Sequence, residues 1–215
     1  MSLPAESVTG VDVSQWQGNI DWAKLSAKAK FVFMRCAYGT YPDRMIQTNW
    51  PAAKVAGLAR GAYLYYYPSV DAGRQARAVI EALGGDYGEL PLVVDIEEPN
   101  IPRPWPATMV ADLKWCLDIL ERFSGRKPII YTATWYWDPY LGDVAWAGEY
   151  SLWVAQYVKD WTPETRPSLP KAWQSYSFWQ YSSTGAGGDY GAESVNIDLD
   201  IFNGSFDQLP RQAPA

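Results

Sequence analysis

The chain has 215 residues, a formal net charge of −6, 48% hydrophobic and 20% charged residues, the balance of one globular domain with a full core. An acidic chain lacks the basic footprint of a nucleic-acid binder, and no apolar run approaches the roughly 18–20 residues that span a bilayer. There is no histidine, which removes Ser-His-Asp and Cys-His catalysis, histidine general bases and histidine-ligated zinc.

The opening "MSLPAESVTG" has neither a basic nor an apolar leader region, so no secretory signal is expected and residues 1–9 read as an N-terminal extension. "GVDVSQW" (10–16) is the first predicted strand, followed by a helix that Asp21 caps. "FVFMRCAY" (31–38) is a strand, "NWPAAKVAG" a helix closing on Gly57, and "GAYLYYY" (61–67) a third strand. A helix from Asp71 to two glycines precedes "LPLVVDIE" (90–97). The longest helix, "PATMVADLKWCLDILERFSG", places Met109, Leu113, Leu117 and Leu120 at helical spacing before Gly125. Four strands complete the chain: "PIIYTATW" (128–135), "SLWVAQY" (151–157), "SFWQYS" (177–182) and "VNIDLDIF" (195–202). The gaps at 158–176 and 183–194 carry prolines and glycines and read as loops, and 207–215 reads as a tail or linker start. Strands alternating with helices over this length predict an α/β fold, a barrel regular for about five units and then short of helices.

Without histidine, chemistry falls to carboxylates. Cys36 on a strand and Cys116 on a helix are expected as buried free thiols, and no metal or other cofactor is expected. Barrel sites lie at the C-terminal ends of strands, where Asp95 and Glu97 alternate onto one face while Glu98 points away. The competing reading of that pair is loop capping at a strand end. Asp12 interrupts the first strand, and Asp198 and Asp200 the last. Barrel closure makes those strands neighbours, so Asp12 and Asp198 are expected to approach. Twelve Trp and fifteen Tyr suit a glycan cleft, since rings stack on sugar faces; filling the core is the competing use of each ring.

The motifs "GVDVSQWQGNIDW", "FVFMRCAYGT", "GAYLYYY", "LVVDIEEP", "IIYTATWYW", "LWVAQY", "FWQYSSTG" and "NIDLDIFNG" run in order from about residue 10 to 204. Together they resemble the family-25 glycoside hydrolases, the Chalaropsis-type lysozymes or N-acetylmuramidases. The resemblance implies an irregular TIM-like (β/α)5(β)3 barrel over residues 10–206 and a muramidase acting on peptidoglycan glycan strands. It implies Glu97 as general acid, Asp95 as its companion, and Asp12 and Asp198 as further acids of the pocket. Arg35, Tyr38, Tyr63, Tyr65, Tyr131, Trp153 and Asp200 fall at or near substrate-binding positions. Leu64 stands where many members carry histidine, and Asp200 where many carry asparagine. A monomer without membrane insertion is expected, released by a phage-type route or cut from a larger secreted lysin. The alternatives are a silent wall-binding module on the same barrel and a hydrolase of another N-acetylated glycan such as chitin.

Overall fold

The computed structural model describes residues 7–160, 162 and 164–210. The first six residues of the expected extension and the last five of the expected tail lie outside the described residues. Five β/α units come first: β1 (Val8–Val13) with α1 (Trp22–Ser26), β2 (Phe31–Tyr38) with α2 (Ile46–Val55), and β4 (Ala59–Tyr65) with α3 (Ala72–Leu83). β5 (Val93–Asp95) with α4 (Ala107–Ser124) and β6 (Ile129–Thr132) with α5 (Thr134–Tyr140) complete the five. β7 (Ser151–Ala155), β8 (Phe178–Ala186) and β9 (Asn196–Phe202) follow without α-helices between them. The two-residue β3 (Tyr41–Pro42) folds back on the end of β2.

Strand order β1-β9-β8-β7-β6-β5-β4-β2, closed by the β1–β2 pairing, makes the expected irregular (β/α)5(β)3 barrel. All neighbours are parallel except β9, which runs antiparallel to both β8 and β1. The helix ends follow their sequence signals. Asp21 and Asp71 accept the Lys24 and Arg74 backbone N–H groups at 3.1 and 2.7 Å, satisfying donors that helix geometry leaves free. Gly84 and Gly125 end α3 and α4 in the left-handed region, at φ 57° and 70°.

Two clusters hold the barrel together. One lies between the strands and the helices and includes Leu64, Leu113, Leu117, Leu120 and both cysteines, which are free and buried. Burial pushes the Cys36 thiol up to about 12, so it is inert at neutral pH. The other fills the barrel's interior with Phe31, Phe33, Phe178, Phe202 and Trp153. Phe33 stacks on Trp153 with centroids 4.4 Å apart. The rings fit only because the neighbouring strands carry glycine: a Cβ on Gly10 or Gly61 would sit 2.3 Å from the Phe31 or Phe33 ring. For these aromatics the core-filling use prevails.

Among the boundaries that shift, those around the later strands and Glu97 matter most. The strand predicted over 128–135 stops at Thr132, because Ala133 turns the chain into α5, which buries Tyr136 and Trp137. The predicted loop at 183–194 begins as strand: β8 reaches Ala186 because Gly185 and Ala186 pair with Ile197 and Asn196 of β9. The strand predicted over 90–97 is reduced to Val93–Asp95, leaving Glu97 two residues beyond its end.

Candidate active site

A pocket of ≈ 220 Å³ opens at the C-terminal ends of the parallel strands. β1 delivers Asp12, β2 Arg35, β4 Tyr63 and Tyr65, the end of β5 Asp95 and then Glu97, β6 Tyr131, and β7 Trp153. β9 delivers Asp198 from the start of a strand, since its reversed direction brings that end to the mouth. Asp12 and Asp198 are register partners on β1 and β9. Directly opposed like charges destabilise a sheet, so this pairing serves something other than stability.

The four acids lie in surroundings that favour the proton. Glu97 is pushed up to about 7, first by burial and then by Asp198 and Glu98. Burial pushes Asp198 up to about 6. Asp95 is held well above the usual carboxylate range by burial and by Glu97, with Arg35 pulling the other way. Asp12 is likewise raised, by burial and then by Asp198 and Asp200. Low-dielectric surroundings and mutual repulsion are what separate neighbouring carboxyls into proton donor and anion at one pH.

A polar net fixes the far wall. Gln180 donates from Nε2 to Asp12 Oδ2 at 2.7 Å, while its Oε1 accepts the phenols of Tyr131 at 2.9 Å and Tyr157 at 3.2 Å. Beneath the pocket the Trp153 indole donates to Asp200 Oδ1 at 2.9 Å. Asp200 is fully buried and outside the lining. Tyr38 also lies outside it, stacked on Tyr65 with centroids 4.7 Å apart. Leu64 packs outward against the helices. Glu98 is buried away from the pocket, accepting the Tyr65 phenol at 3.3 Å and the Asn100 amides at 3.0 and 3.1 Å.

A second cavity of ≈ 320 Å³ adjoins the first and shares Glu97, Tyr131 and Tyr157 with it. Glu97 is the one carboxyl common to both. Trp16, 68% exposed, lines the first alone, and Trp135, 67% exposed, the second alone. The two cavities thus meet at an acid, and each carries one exposed flat ring of its own. Sequence reasoning singled out neither Trp16, Trp135, Tyr157 nor Gln180. Gln180 was within reach of strand alternation, since it shares a face with the interior Phe178.

The sequence pattern of "Glycosyl hydrolases family 25" matches residues 11–189. The chain belongs to that family. Lysozyme M1 of Streptomyces globisporus is 31% identical over 96% of this chain and 72% of its own. The N,O-diacetylmuramidase of a Chalaropsis species is 30% identical over 96% of this chain and 99% of its own. Among solved structures, the bacterial lysozyme of Streptomyces coelicolor superposes with a TM-score of 0.81 at 28% identity, covering 95% of this chain and 96% of that one.

Proposed function

We propose that this glycosidase is a muramidase, cleaving the β-1,4 bond between N-acetylmuramic acid and N-acetylglucosamine inside peptidoglycan strands. The observation that carries the reading is Glu97 at the junction of two cavities that both continue away from it. An acid where two cavities meet suits cutting within a polymer, with sugars held on both sides. The named activities of the relatives, a lysozyme and a diacetylmuramidase, support the substrate class.

Glu97, near half-protonated at neutral pH, donates its proton to the glycosidic oxygen as the bond to the anomeric carbon breaks. The carbonyl oxygen of the sugar's own 2-acetamido group closes onto that carbon, giving a cyclic oxazolinium. Asp95 Oδ1 is buried and without a hydrogen-bond partner among the described residues, which suits it to accept the acetamido N–H and balance the growing positive charge. Water then adds to the anomeric carbon, losing its proton to Glu97 as the bond from that carbon to the acetamido oxygen breaks and the acetamido group is restored, and the original configuration is retained. Asp12 and Asp198 supply negative potential and contacts to hydroxyl groups. All these groups come from one chain, which supports action as a monomer at the cell wall.

Mass spectrometry of digested walls tests the substrate: new reducing ends on N-acetylmuramic acid are expected. Reducing ends on N-acetylglucosamine, or faster release from chitin, would replace this reading. NMR of the first product tests the route, and an inverted anomer would reject it.

A further inference from the structure

Arg35 is the one cation among the residues lining the pocket it shares with Asp95, and its Nε donates to Asp43 at 2.8 Å. Asp43 stands between β3 and α2 with its side chain sealed from solvent. The same carboxylate accepts the backbone N–H of Gln15 at 3.0 Å and of Met45 at 2.9 Å. Two separate backbone segments thus fix its position before Arg35 is considered.

Asp95 Oδ1, by contrast, has no hydrogen-bond partner among the described residues, although Arg35 is close enough to favour its anion. Charge-assisted hydrogen bonds are roughly twice as strong as neutral ones. A long guanidinium side chain facing an unpartnered buried carboxyl will therefore close onto it unless something else holds it. We infer that Asp43 is a positioning residue: it keeps the Arg35 guanidinium beside Asp95 but off it, so that Asp95 Oδ1 stays open to the substrate. This rests on the role given to Asp95 above.

Among the described residues, the groups around Asp95 leave Arg35 as its one cationic influence. Glu97 follows it in the chain and favours the proton. Tyr63 from β4 and Tyr131 from β6 are buried phenols and Tyr65 from β4 a half-buried one, all held neutral. Asp12 from β1 and Asp198 from β9 complete the ring as acids. The Asp43 carboxylate also steadies the turn of residues 15–17, whose Trp16 lines the pocket.

The direct test is the carboxyl 13C titration of Asp95 in ligand-free protein, a readout independent of substrate identity. In Asp43→Asn one side-chain oxygen must serve donors that now share two, Arg35 is released, and it closes on Asp95. The Asp95 midpoint should fall by about 1–3 pH units, the range for a carboxyl gaining an arginine partner. Turnover of wall fragments should drop at least about tenfold, the lower part of what a misplaced reacting group costs. Arg35→Met should raise the midpoint, and Asp43→Asn/Arg35→Met should return it to the Arg35→Met value. An unchanged or raised midpoint in folded Asp43→Asn would overturn the inference. Should that variant not fold, Arg35→Met keeps both backbone bonds to Asp43, and an unmoved midpoint there overturns it equally. A wild-type protein inert on walls would reject the muramidase reading while leaving these titrations to decide Asp43.

Discussion

At the foot of the barrel Arg60 is buried, and its guanidinium makes five hydrogen bonds: two to Glu89, two to Asp86 and one to the Trp50 carbonyl, at 2.8–3.3 Å. At the mouth, four carboxyls line one pocket with a single guanidinium, itself held by Asp43. The bonds from Arg60 outweigh burial and lower the pKa of Asp86 and of Glu89, so both stay ionised. Burial without a matching cation raises the pKa of Glu97, Asp95, Asp12 and Asp198. The same residue types thus fasten β4 to the 86–90 loop at one end and hold a transferable proton at the other. What separates the two uses is whether a cation is supplied for each acid.

The largest effect should come from removing the proton. Glu97→Gln keeps the shape of the pocket and loses the donor, so turnover on purified walls should fall by about 10²–10⁴-fold with the circular dichroism unchanged. Near wild-type turnover would reassign the acid. Asp95→Asn removes the acceptor and the charge opposing the oxazolinium, and a loss of about 10²–10³-fold is expected, comparable to deleting one electrostatic stabiliser. A substrate with hydroxyl in place of the 2-acetamido group should be almost inert under the same account.

Breaking the foot should cost stability and spare chemistry. Arg60→Met removes the guanidinium that Asp86 and Glu89 share and leaves Asp86 only Lys54 at 3.5 Å; because both acids reach water, the loss is set at about 2–4 kcal/mol, below that of a sealed pair. Urea unfolding measures it, and turnover per folded molecule should not change.

The two ends also predict opposite responses to pH. Asp86 and Glu89 have folded values below their unfolded ones. Their stabilisation is present above the ordinary carboxylate range and lost as pH falls through the lowered values. Glu97 has a folded value of about 7 against 4.5, so the native state binds the extra proton between them. Its contribution to stability therefore declines as pH rises from about 4.5 through 7. Glu97→Gln should be more stable than wild type at pH 8 by up to about 3 kcal/mol, and nearly equal to it at pH 4. Equal melting temperatures of the two proteins at pH 8 would contradict this. The smallest expected change is none: prolonged chelation should leave turnover intact, and activity restored only by a divalent ion would reject carboxylate chemistry.

Much of the mouth was legible in the sequence, because an Asp or Glu at the end of an apolar strand is conspicuous at short range. Asp12, Asp95, Glu97 and Asp198 all reach the pocket. The reversal of β9 was not legible, since strand direction depends on barrel closure rather than on local pattern. Asp198 consequently reaches the mouth from a strand's start, which alternation alone does not reveal. Gln180 looked like an ordinary polar residue among aromatics until three partners met on it. The foot was the least legible. Asp86 and Glu89 sit in "GGDYGEL", which reads as a solvated turn, and the arginine that claims them lies more than twenty residues earlier. Trp135 was read as strand and stands on a helix, because aromatic residues signal β-structure locally while burial of Tyr136 and Trp137 decides for α5.

A carboxyl 13C titration following Glu97 and Glu89 in the same ligand-free sample tests the contrast between the two ends most directly. A midpoint near 7 is expected for Glu97 and one below 4.5 for Glu89. A Glu97 midpoint at or below that of Glu89 would contradict that contrast, because the mouth would then hold no proton to give at neutral pH.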